Sequence, residues 1–425
     1  MTEKNFLTIK EAIKKGKGKV SIRGWVYRER GSNKLKFIVL RDSTEIIQCV
    51  VKKEKINEKL WEEIDKIQVE ASLELTGTIK EDKRAPTGYE VDVDDIKIIG
   101  ESNEFPINKS LNEELLGDRR HLWLRSRKMT AVMKIRSRYV QAREEFFIKE
   151  GFVEIQPPCI ISTSSEGGTE LFEVKYFEKK AYLAQSPQLY KQMIACSMEK
   201  TFTITPVWRA EKHNTTRHIN EIRQMDIEVA FTNQESIMKY LEKVLQYIVT
   251  KVLDNCDKEL EVLGRKGKVK VPKAVYLHYE EAIKAVGGKV GEDFSPEQER
   301  KLCEKYPDSI VFTHSWPTEI KPFYIMPKDE KIASIESCGF DALYGGVEIT
   351  SGGQRIHLPE LLIGMIKKKG LNPKNFKDYI DSFRYGAPPH SGWSIGLERL
   401  TQMICGLDNI KEATMFPRDR DRLTP

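Results

Sequence analysis

Residues 206 to 231, PVWRAEKHNTTRHINEIRQMDIEVAF, place a dense group of charges between two segments with the composition of buried strands. Side chains two residues apart in a strand share a face, so Arg209 and Glu211 are predicted to lie together. The loop that follows adds Arg217 and His218. Cations grouped in this way could bind a polyphosphate, although a solvent-exposed hairpin with surface ion pairs fits the same residues.

Three further segments place polar side chains at the predicted ends of strands and helices. GFVEIQPPCI indicates a helix end and a strand that stops at Pro158, and YLAQSPQLYKQ indicates a strand end that runs into a helix carrying Lys191. RYGAPPHSGWSIGLERL indicates a glycine-rich strand followed by a helix with Glu398 and Arg399. Each segment alone is a weak signal.

The first hundred residues have the pattern of a small β-barrel. Five segments alternate apolar and polar residues with period two, and turn residues separate them. They are GKVSIRGWVYRERG, KLKFIVLRDS, EIIQCVV, IQVEASLELTGTIK and GYEVDVDDIKIIG. One helix, KINEKLWEEIDK, interrupts them. The pattern predicts an OB-type barrel over residues 1–100, a fold whose open face binds single-stranded nucleic acid.

The rest of the chain has the pattern of a larger domain that combines helices with a sheet. Residues 101–125 have mixed polarity and predict a hinge with one short helix. From residue 126 to 425, TAVMKIRSRYVQAREEFFIKEG and SIMKYLEKVLQYIVTKVLDNC show helical spacing, while FTITPVWRAE, IEVAF and SIVFTH are typical of strands. The sequence therefore predicts an α+β protein in which helices flank the sheet of the second domain.

Composition restricts the functional classes. The chain has 425 residues, of which 40% are hydrophobic and 32% charged, and its apolar runs are far shorter than a membrane span. Its seven cysteines form no CxxC pair, and the N-terminus has no signal-peptide core. These features predict a cytoplasmic protein without a membrane segment. The net charge is +6, and an excess of basic residues near the N-terminus fits either an anionic partner or a lysine-rich surface.

The four charged segments and the barrel together resemble the class II aminoacyl-tRNA synthetases of the aspartate, asparagine and lysine subclass. Pro158, Arg209 and Arg399 stand at the signature residues of the three class motifs, and the barrel matches the N-terminal anticodon-binding domain. The sequences around Lys191 and Arg355 are similar to those of aspartyl-tRNA synthetases of the archaeal and eukaryotic type. The same is true of HNTTRHINE and FPRDRDRLTP. Asparaginyl-tRNA synthetases are the alternative within the subclass.

The resemblance implies a reaction. L-Aspartate is activated with ATP and Mg²⁺ to aspartyl-adenylate, and the aspartyl group is transferred to the 3′ end of tRNA(Asp). A homodimer is also implied, because Pro158 lies in the motif that forms the dimer interface of the class.

The resemblance also implies a role for each residue of the site. The residues implied to bind ATP are Arg209, Glu211, Arg217, His218, Glu348 and Arg399, with catalytic roles for Arg209 and Arg399. The residues implied to bind aspartate are Glu166, Ser186, Gln188, Lys191, Asp226, Ser351 and Arg355. Glu348 and Ser351 match magnesium positions, and Arg28, Phe37 and Gln48 match anticodon-binding positions. Because a buried carboxylate needs fixed positive charge, Lys191 and Arg355 are expected to select aspartate.

Three positions depart from the family pattern. Ile222 stands where an aromatic ring usually contacts adenine, Ser394 stands where glycine is common, and YGGVEI lacks the arginine often found before the acid Glu348. In the barrel, Phe37 is expected to stack on a base, but strand alternation alone also allows it to face the barrel core.

Other functions remain open at this point. An ATP-dependent asparagine synthetase shares the catalytic domain but lacks the barrel, and a nucleic-acid-binding regulator could retain an inactive catalytic domain.

The choice of tRNA is also open. Tyr27 and the turn RAPTG with Pro86 occupy the positions near the third anticodon base, and a proline offers no N–H donor. This favours an enzyme that charges only tRNA(Asp), unless Pro86 is simply a turn residue.

Overall fold

A computed structural model describes residues 5–108, 111–162, 171–212 and 215–425. The chain forms two compact units, residues 1–111 and residues 112–425. In the described ranges, no helix is both long enough and apolar enough to cross a membrane.

The first unit is a closed five-stranded barrel with the strand order β1-β2-β3-β5-β4. Its elements are α1 (Ile9–Lys15), β1 (Gly18–Gly31), β2 (Leu35–Arg41), β3 (Ile46–Lys52), α2 (Glu58–Asp65), β4 (Ser72–Glu81) and β5 (Tyr89–Gly100). The predicted helix KINEKLWEEIDK is α2, which begins after Asn57, whose side chain accepts a hydrogen bond from the Leu60 N–H. The predicted OB-type barrel is confirmed.

Strand alternation gives the barrel its core and its outer face. In β2, Ile38 and Leu40 are fully buried in the barrel core, whereas the neighbouring Phe37 is only partly buried and lies outside that core. A register shift between Val26 and Arg28 in β1 brings Arg28 opposite Val39. The outer face can therefore carry side chains that bind a ligand, while the inner face supplies the apolar packing.

The second unit contains helices on a large sheet. Its N-terminal part consists of α3 (Glu113–Asp118), α4 (Arg120–Trp123), α5 (Arg127–Lys149), β6 (Val153–Glu154), β7 (Ile160–Ile161), β8 (Glu173–Tyr176), β9 (Lys179–Leu183), α6 (Gln188–Met198), β10 (Lys200–Trp208), β11 (Glu221–Ala230), α7 (Gln234–Asn255) and α8 (Asp257–Val262). Its C-terminal part consists of β12 (Lys273–His278), α9 (Tyr279–Ala285), α10 (Pro296–Lys305), β13 (Ser309–His314), β14 (Gly339–Tyr344), β15 (Val347–Gln354), α11 (Pro359–Lys368), α12 (Lys377–Ser382), β16 (His390–Gly396) and α13 (Leu397–Cys405).

Eight of these strands form one sheet, in the order β12-β13-β14-β15-β16-β11-β10-β6. The six central strands pair antiparallel. Parallel pairs occur only at the two edges of this sheet, between β12 and β13 and between β6 and β10. The predicted α+β architecture is confirmed, and β7, β9 and β8 form a separate small sheet.

One face of the large sheet is covered by α5 and α7. Strand β11 shows how the two faces differ. Met225, Ile227 and Val229 belong to the apolar core that includes residues of both helices, and the alternating Asp226 and Glu228 are buried but lie outside that core. The face opposite the helices is therefore lined with polar and charged side chains, and this is where the site lies.

Candidate active site

A cavity of about 300 Å³ lies over β10, β11, β15 and β16. Ten residues predicted from the sequence line it. They are Ser186, Gln188, Arg209, Glu211, Arg217, His218, Glu348, Ser351, Arg355 and Arg399. Lys191 and Asp226 lie beneath it, and Glu166 lies outside the described residues. Four separate segments of the sequence thus meet at one cavity.

The charged loop after β10 supplies the basic wall of the cavity. The guanidinium of Arg217 contacts the Glu299 carboxylate at 2.7 Å, and the Nδ1 atom of His218 lies 2.7 Å from the Thr215 hydroxyl. The Nε2 atom of His218 is 4.0 Å from the Glu211 carboxylate. These contacts with other protein side chains orient Arg217 and His218, and they leave the cavity open to a ligand.

Helix α13 positions the second arginine of the cavity. Arg399 donates a hydrogen bond to the Glu348 backbone carbonyl at 2.9 Å. The preceding Glu398 is 1% exposed and is held by the Arg136 guanidinium at 2.6 Å and by the Arg223 N–H at 3.1 Å. Because Glu398 is anchored on both sides, the first turn of α13 is fixed, and Arg399 enters the cavity from a rigid element.

Oxygen atoms that could hold a hard cation lie near Arg399. Burial raises the pKa of the Glu348 carboxyl to about 7, with Asp341 adding to the shift while Arg399 and Lys321 oppose it. Asp341 is paired across the sheet with Ser351. One Asp341 oxygen contacts Lys321 at 2.6 Å, and the other is buried without a hydrogen-bond partner among the described residues.

This donor set fits Mg²⁺, which prefers carboxylate oxygens combined with phosphate oxygens. A cation would hold Glu348 ionised and would give the buried Asp341 oxygen a partner. In the described part of the chain, no three His, Cys, Asp or Glu side chains are arranged to hold a metal by themselves. Asp341 was not among the site residues predicted from the sequence. Its place opposite Ser351 depends on the register of β14 and β15, which no local pattern gives.

Four charged side chains are buried together beneath the cavity. Lys191, Asp226, Glu228 and Arg355 are each at most 2% exposed. The Lys191 ammonium is 2.8 Å from Asp226 and 3.7 Å from Glu228, and the Arg355 Nε atom is 3.0 Å from Glu228. Two positive and two negative charges sum to zero. Both cations of the group are therefore held in place by neighbouring carboxylates.

Glu228 is a second residue that sequence analysis missed. It contacts both cations of the predicted pocket. Asp226 and Glu228 are two residues apart in β11 and share a face, and this D-x-E spacing was the signal that could have identified it. Glu228 holds Arg355 in a fixed orientation by two contacts, at 3.0 and 3.4 Å.

Ile222 and Ser394, which differ from the family pattern, both line the cavity. Ile222 lines the cavity together with Ile219, Ile349 and Ile410. This apolar wall could contact a flat base without an aromatic partner. The Ser394 hydroxyl donates a hydrogen bond to the second Asp226 oxygen at 3.3 Å, so the residue that replaces glycine helps to hold the buried charge group.

The predicted anticodon residues share the outer face of the barrel. Arg28, Val39 and Gln48 lie side by side across β1, β2 and β3. Phe37 is two residues before Val39 and so lies on the same face. The Gln48 amide donates to the Glu90 carboxylate at 2.9 Å. The alternative that Phe37 faces the barrel core is excluded.

Comparison with known proteins places this site in a family. Residues 112–420 match the family described as tRNA synthetases class II (D, K and N). The chain belongs to this family. Residues 20–99 of this synthetase match the model described as OB-fold nucleic acid binding domain. The resemblance inferred from the motifs is confirmed.

Three relatives are similar over almost the whole length of this synthetase. It is 41% identical to the aspartate–tRNA(Asp/Asn) ligase of Methanopyrus kandleri over 420 residues, 96% of each chain. It is 41% identical to the aspartate–tRNA(Asp) ligase of Pyrococcus horikoshii over 426 residues, again 96% of each chain. It also resembles the crystal structure of asparaginyl-tRNA synthetase from Pyrococcus horikoshii complexed with asparaginyl-adenylate, with a TM-score of 0.92, 36% identity and full coverage of both chains.

Proposed function

We propose that this synthetase activates L-aspartate with ATP and transfers it to tRNA(Asp). The observation that carries this proposal is the buried group beneath the cavity. Its two cations, Lys191 and Arg355, are held in place by Asp226 and Glu228, and Arg355 lines the cavity together with Ser186 and Gln188. A side-chain carboxylate gains more from two fixed cations than a neutral amide does. This arrangement favours aspartate over asparagine.

The first reaction step joins aspartate to ATP. One oxygen of the α-carboxylate attacks the α-phosphorus, the bond to the bridging oxygen breaks, and diphosphate leaves. The nucleophile is already ionised, so no base has to remove a proton. Arg209 and Arg399 would offset the charge that develops on the phosphates, and their fixed positions make that stabilisation effective. Mg²⁺ held by Glu348 and Ser351 would add positive charge at the phosphates.

The second step transfers the aspartyl group to tRNA. A ribose hydroxyl at the 3′ end of tRNA attacks the carbonyl carbon of the adenylate, and AMP leaves as the new ester forms. The outer face of the barrel, with Arg28, Phe37 and Gln48, would bind the anticodon by stacking and hydrogen bonds. We further propose a cytoplasmic homodimer, with residues 1–100 as the anticodon domain, 101–125 as a hinge and 126–425 as the catalytic domain.

An exchange assay tests the proposed function. Labelled diphosphate should enter ATP in the presence of aspartate, with a kcat/KM for asparagine at least tenfold lower. Exchange that depends on asparagine alone would favour an asparaginyl-tRNA synthetase. Free asparagine formed from aspartate and ammonia would favour an asparagine synthetase. Absence of exchange with either amino acid, in protein that binds tRNA, would favour a regulator with an inactive catalytic domain.

A second candidate activity is the charging of tRNA(Asn) with aspartate. The Methanopyrus kandleri relative is named for both tRNAs, whereas the Pyrococcus horikoshii relative is named for tRNA(Asp) alone. The structure supports a turn role for Pro86, because the exposed proline sits in a turn closed by a 3.0 Å hydrogen bond from the Gly88 N–H to the Ala85 carbonyl. Comparing kcat/KM on the two transcripts decides this point. Values within tenfold of each other would rule out the predicted restriction to tRNA(Asp).

A further inference from the structure

Asn220 is the last residue of the charged loop before β11. It forms four hydrogen bonds, three of them with the start of the loop. Its side-chain amide donates to the Arg209 carbonyl at 2.7 Å and to the Glu211 carbonyl at 2.9 Å. Its backbone carbonyl accepts from the Arg209 N–H at 2.9 Å. Two of the residues proposed to act on ATP are thus attached, through their backbones, to one asparagine that is 8% exposed.

The sheet does not hold this part of the backbone. The ladder between β10 and β11 ends with Trp208 opposite Glu221, so residues 209–212 have left the strand. A buried carbonyl needs a donor, and in a strand the neighbouring strand supplies it. At Arg209 and Glu211 the Asn220 amide supplies it instead. The direction in which these two side chains leave the backbone therefore depends on Asn220.

The fourth hydrogen bond of Asn220 leads to the end of the chain. Its backbone N–H donates to the Arg418 carbonyl at 2.7 Å. Two more contacts join the C-terminal segment, residues 410–425, to the charged loop. The Ile410 N–H donates to the Thr216 carbonyl at 2.9 Å, and the Arg420 guanidinium donates to the Lys212 carbonyl at 3.3 Å. The C-terminal segment thus contacts the loop at Lys212 and at Thr216.

The C-terminal segment is itself anchored to the body of the second unit. Arg422 forms an ion pair with Asp118 of α3 at 2.7 Å, and within the segment Asp419 forms one with Lys411 at 2.7 Å. Arg120, 1% exposed, donates to the Met415 carbonyl at 2.7 Å. A segment fixed at several points can transmit its position to the loop, whereas a free chain end could not.

We propose that Asn220 is a positioning residue for ATP, and that the C-terminal segment holds Asn220 in place. Neither Asn220 nor residues 417–425 need touch the nucleotide. They fix the backbone from which Arg209 and Glu211 extend into the cavity. This inference rests on the proposed function, because it takes Arg209 and Glu211 as the residues that bind ATP.

The test compares steady-state constants in the exchange assay for three single variants and one truncation. Asn220→Ala removes both side-chain donors, and Asn220→Ser keeps one hydroxyl donor. The third variant, Asn233→Ala, is a matched control, because Asn233 caps α7 by accepting a hydrogen bond from the Ser236 N–H, away from the cavity. The truncation ends the chain at Phe416 and removes Arg418 and Arg420.

The expected result is a selective loss. Asn220→Ala lowers kcat/KM for ATP on the order of 10²-fold, as a small displacement of a charge-bearing group does, while the KM for aspartate stays within twofold. Asn220→Ser falls between Asn220→Ala and the unmodified protein, and the truncation behaves like Asn220→Ala. Asn233→Ala lowers the melting temperature but leaves both constants unchanged. Constants for ATP and aspartate that change equally, or not at all, in Asn220→Ala would overturn the proposal.

A second measurement does not depend on activity. Hydrogen exchange of residues 208–212, followed by mass spectrometry without substrates, should be faster in Asn220→Ala and in the truncated chain. Unchanged exchange would show that Asn220 does not hold the loop, and would overturn the proposal. If the unmodified protein does not exchange diphosphate into ATP, the proposed function fails, but the hydrogen-exchange measurement still tests whether Asn220 holds residues 208–212. If the truncated chain does not fold, the two Asn220 variants decide.

Discussion

Replacing Lys191 with methionine tests the buried charge group most directly. Lys191→Met keeps most of the side-chain volume and removes one of two cations. Asp226 then loses its 2.8 Å partner, and Glu228 keeps only Arg355. The group of four charges changes from neutral to a net charge of −1. Both the stability of the fold and the binding of a substrate carboxylate should suffer, and the two effects can be separated.

The size of each effect follows from burial. Because Lys191 and Asp226 are 1% and 0% exposed, removing one partner leaves a charge without compensation, which costs about 3–5 kcal/mol in the free energy of unfolding. Loss of a buried charge partner weakens binding by about 2–5 kcal/mol. At about 1.4 kcal/mol per tenfold, the KM for aspartate should rise roughly 30-fold to several-thousand-fold. Binding of ATP should be unaffected.

A double variant separates the two effects. Lys191→Met combined with Asp226→Asn makes the group neutral again, so the free energy of unfolding in urea should recover while aspartate activation should not. Lys36→Met is a matched control, because Lys36 is a buried lysine of the barrel, 2.9 Å from Glu29. It should lower the stability of the barrel and leave the KM for aspartate unchanged. A near-normal KM for aspartate in Lys191→Met would refute the assignment of this pocket.

Three further predictions concern other parts of the molecule. Between pH 4.5 and about 7, folded Glu348 keeps a proton that the unfolded chain has lost, so metal-free protein should lose stability as the pH rises through this range; Glu348→Gln should flatten the dependence in thermal melts at pH 5 and 8. Phe37→Ala should weaken tRNA binding by about 1–3 kcal/mol in a filter-binding assay and leave diphosphate exchange unchanged. Light scattering should give twice the 49.1 kDa chain mass, and a fully active monomer would contradict the proposed dimer.

The fold was predictable from the sequence where a local period encodes it. The alternation of GYEVDVDDIKIIG gave the strand that ends at Gly100, and helical spacing gave α5 and α7. These patterns suffice because a strand or helix must present its apolar side chains to one core. Whether Phe37 faces inward could not be predicted. Phe37, Ile38, Val39 and Leu40 are all apolar, so the sequence does not show which alternate residues face the core.

Residues of the candidate site could be predicted where they belong to a sequence motif. They could not be predicted where their position depends on contacts between distant segments. Arg209, Lys191 and Arg399 belong to segments whose sequences resemble family motifs. Glu228 and Asp341 are single acids within strands, and a single acid in a strand is usually part of an ordinary ion pair. Glu228 gains its proposed role from its contacts with Lys191 of α6 and with Arg355, and Asp341 from its place opposite Ser351. Glu228 and Arg355 are 127 positions apart in the sequence, so the D-x-E spacing is the only local signal for Glu228. The pairing of Asp341 with Ser351 leaves no local signal.

The position of β16 in the large sheet has a consequence for synthesis of the chain on the ribosome. This strand, the last in the sequence, lies between β11 and β15 near the middle of the sheet. Until residues 390–396 have been made, two strands with apolar faces keep unpaired backbone edges, which favour aggregation. The barrel strands all lie within residues 18–100 and need nothing later to pair. A ribosome that stalls between residues 354 and 390 would therefore release a folded barrel joined to an incomplete sheet that is inactive and prone to aggregate.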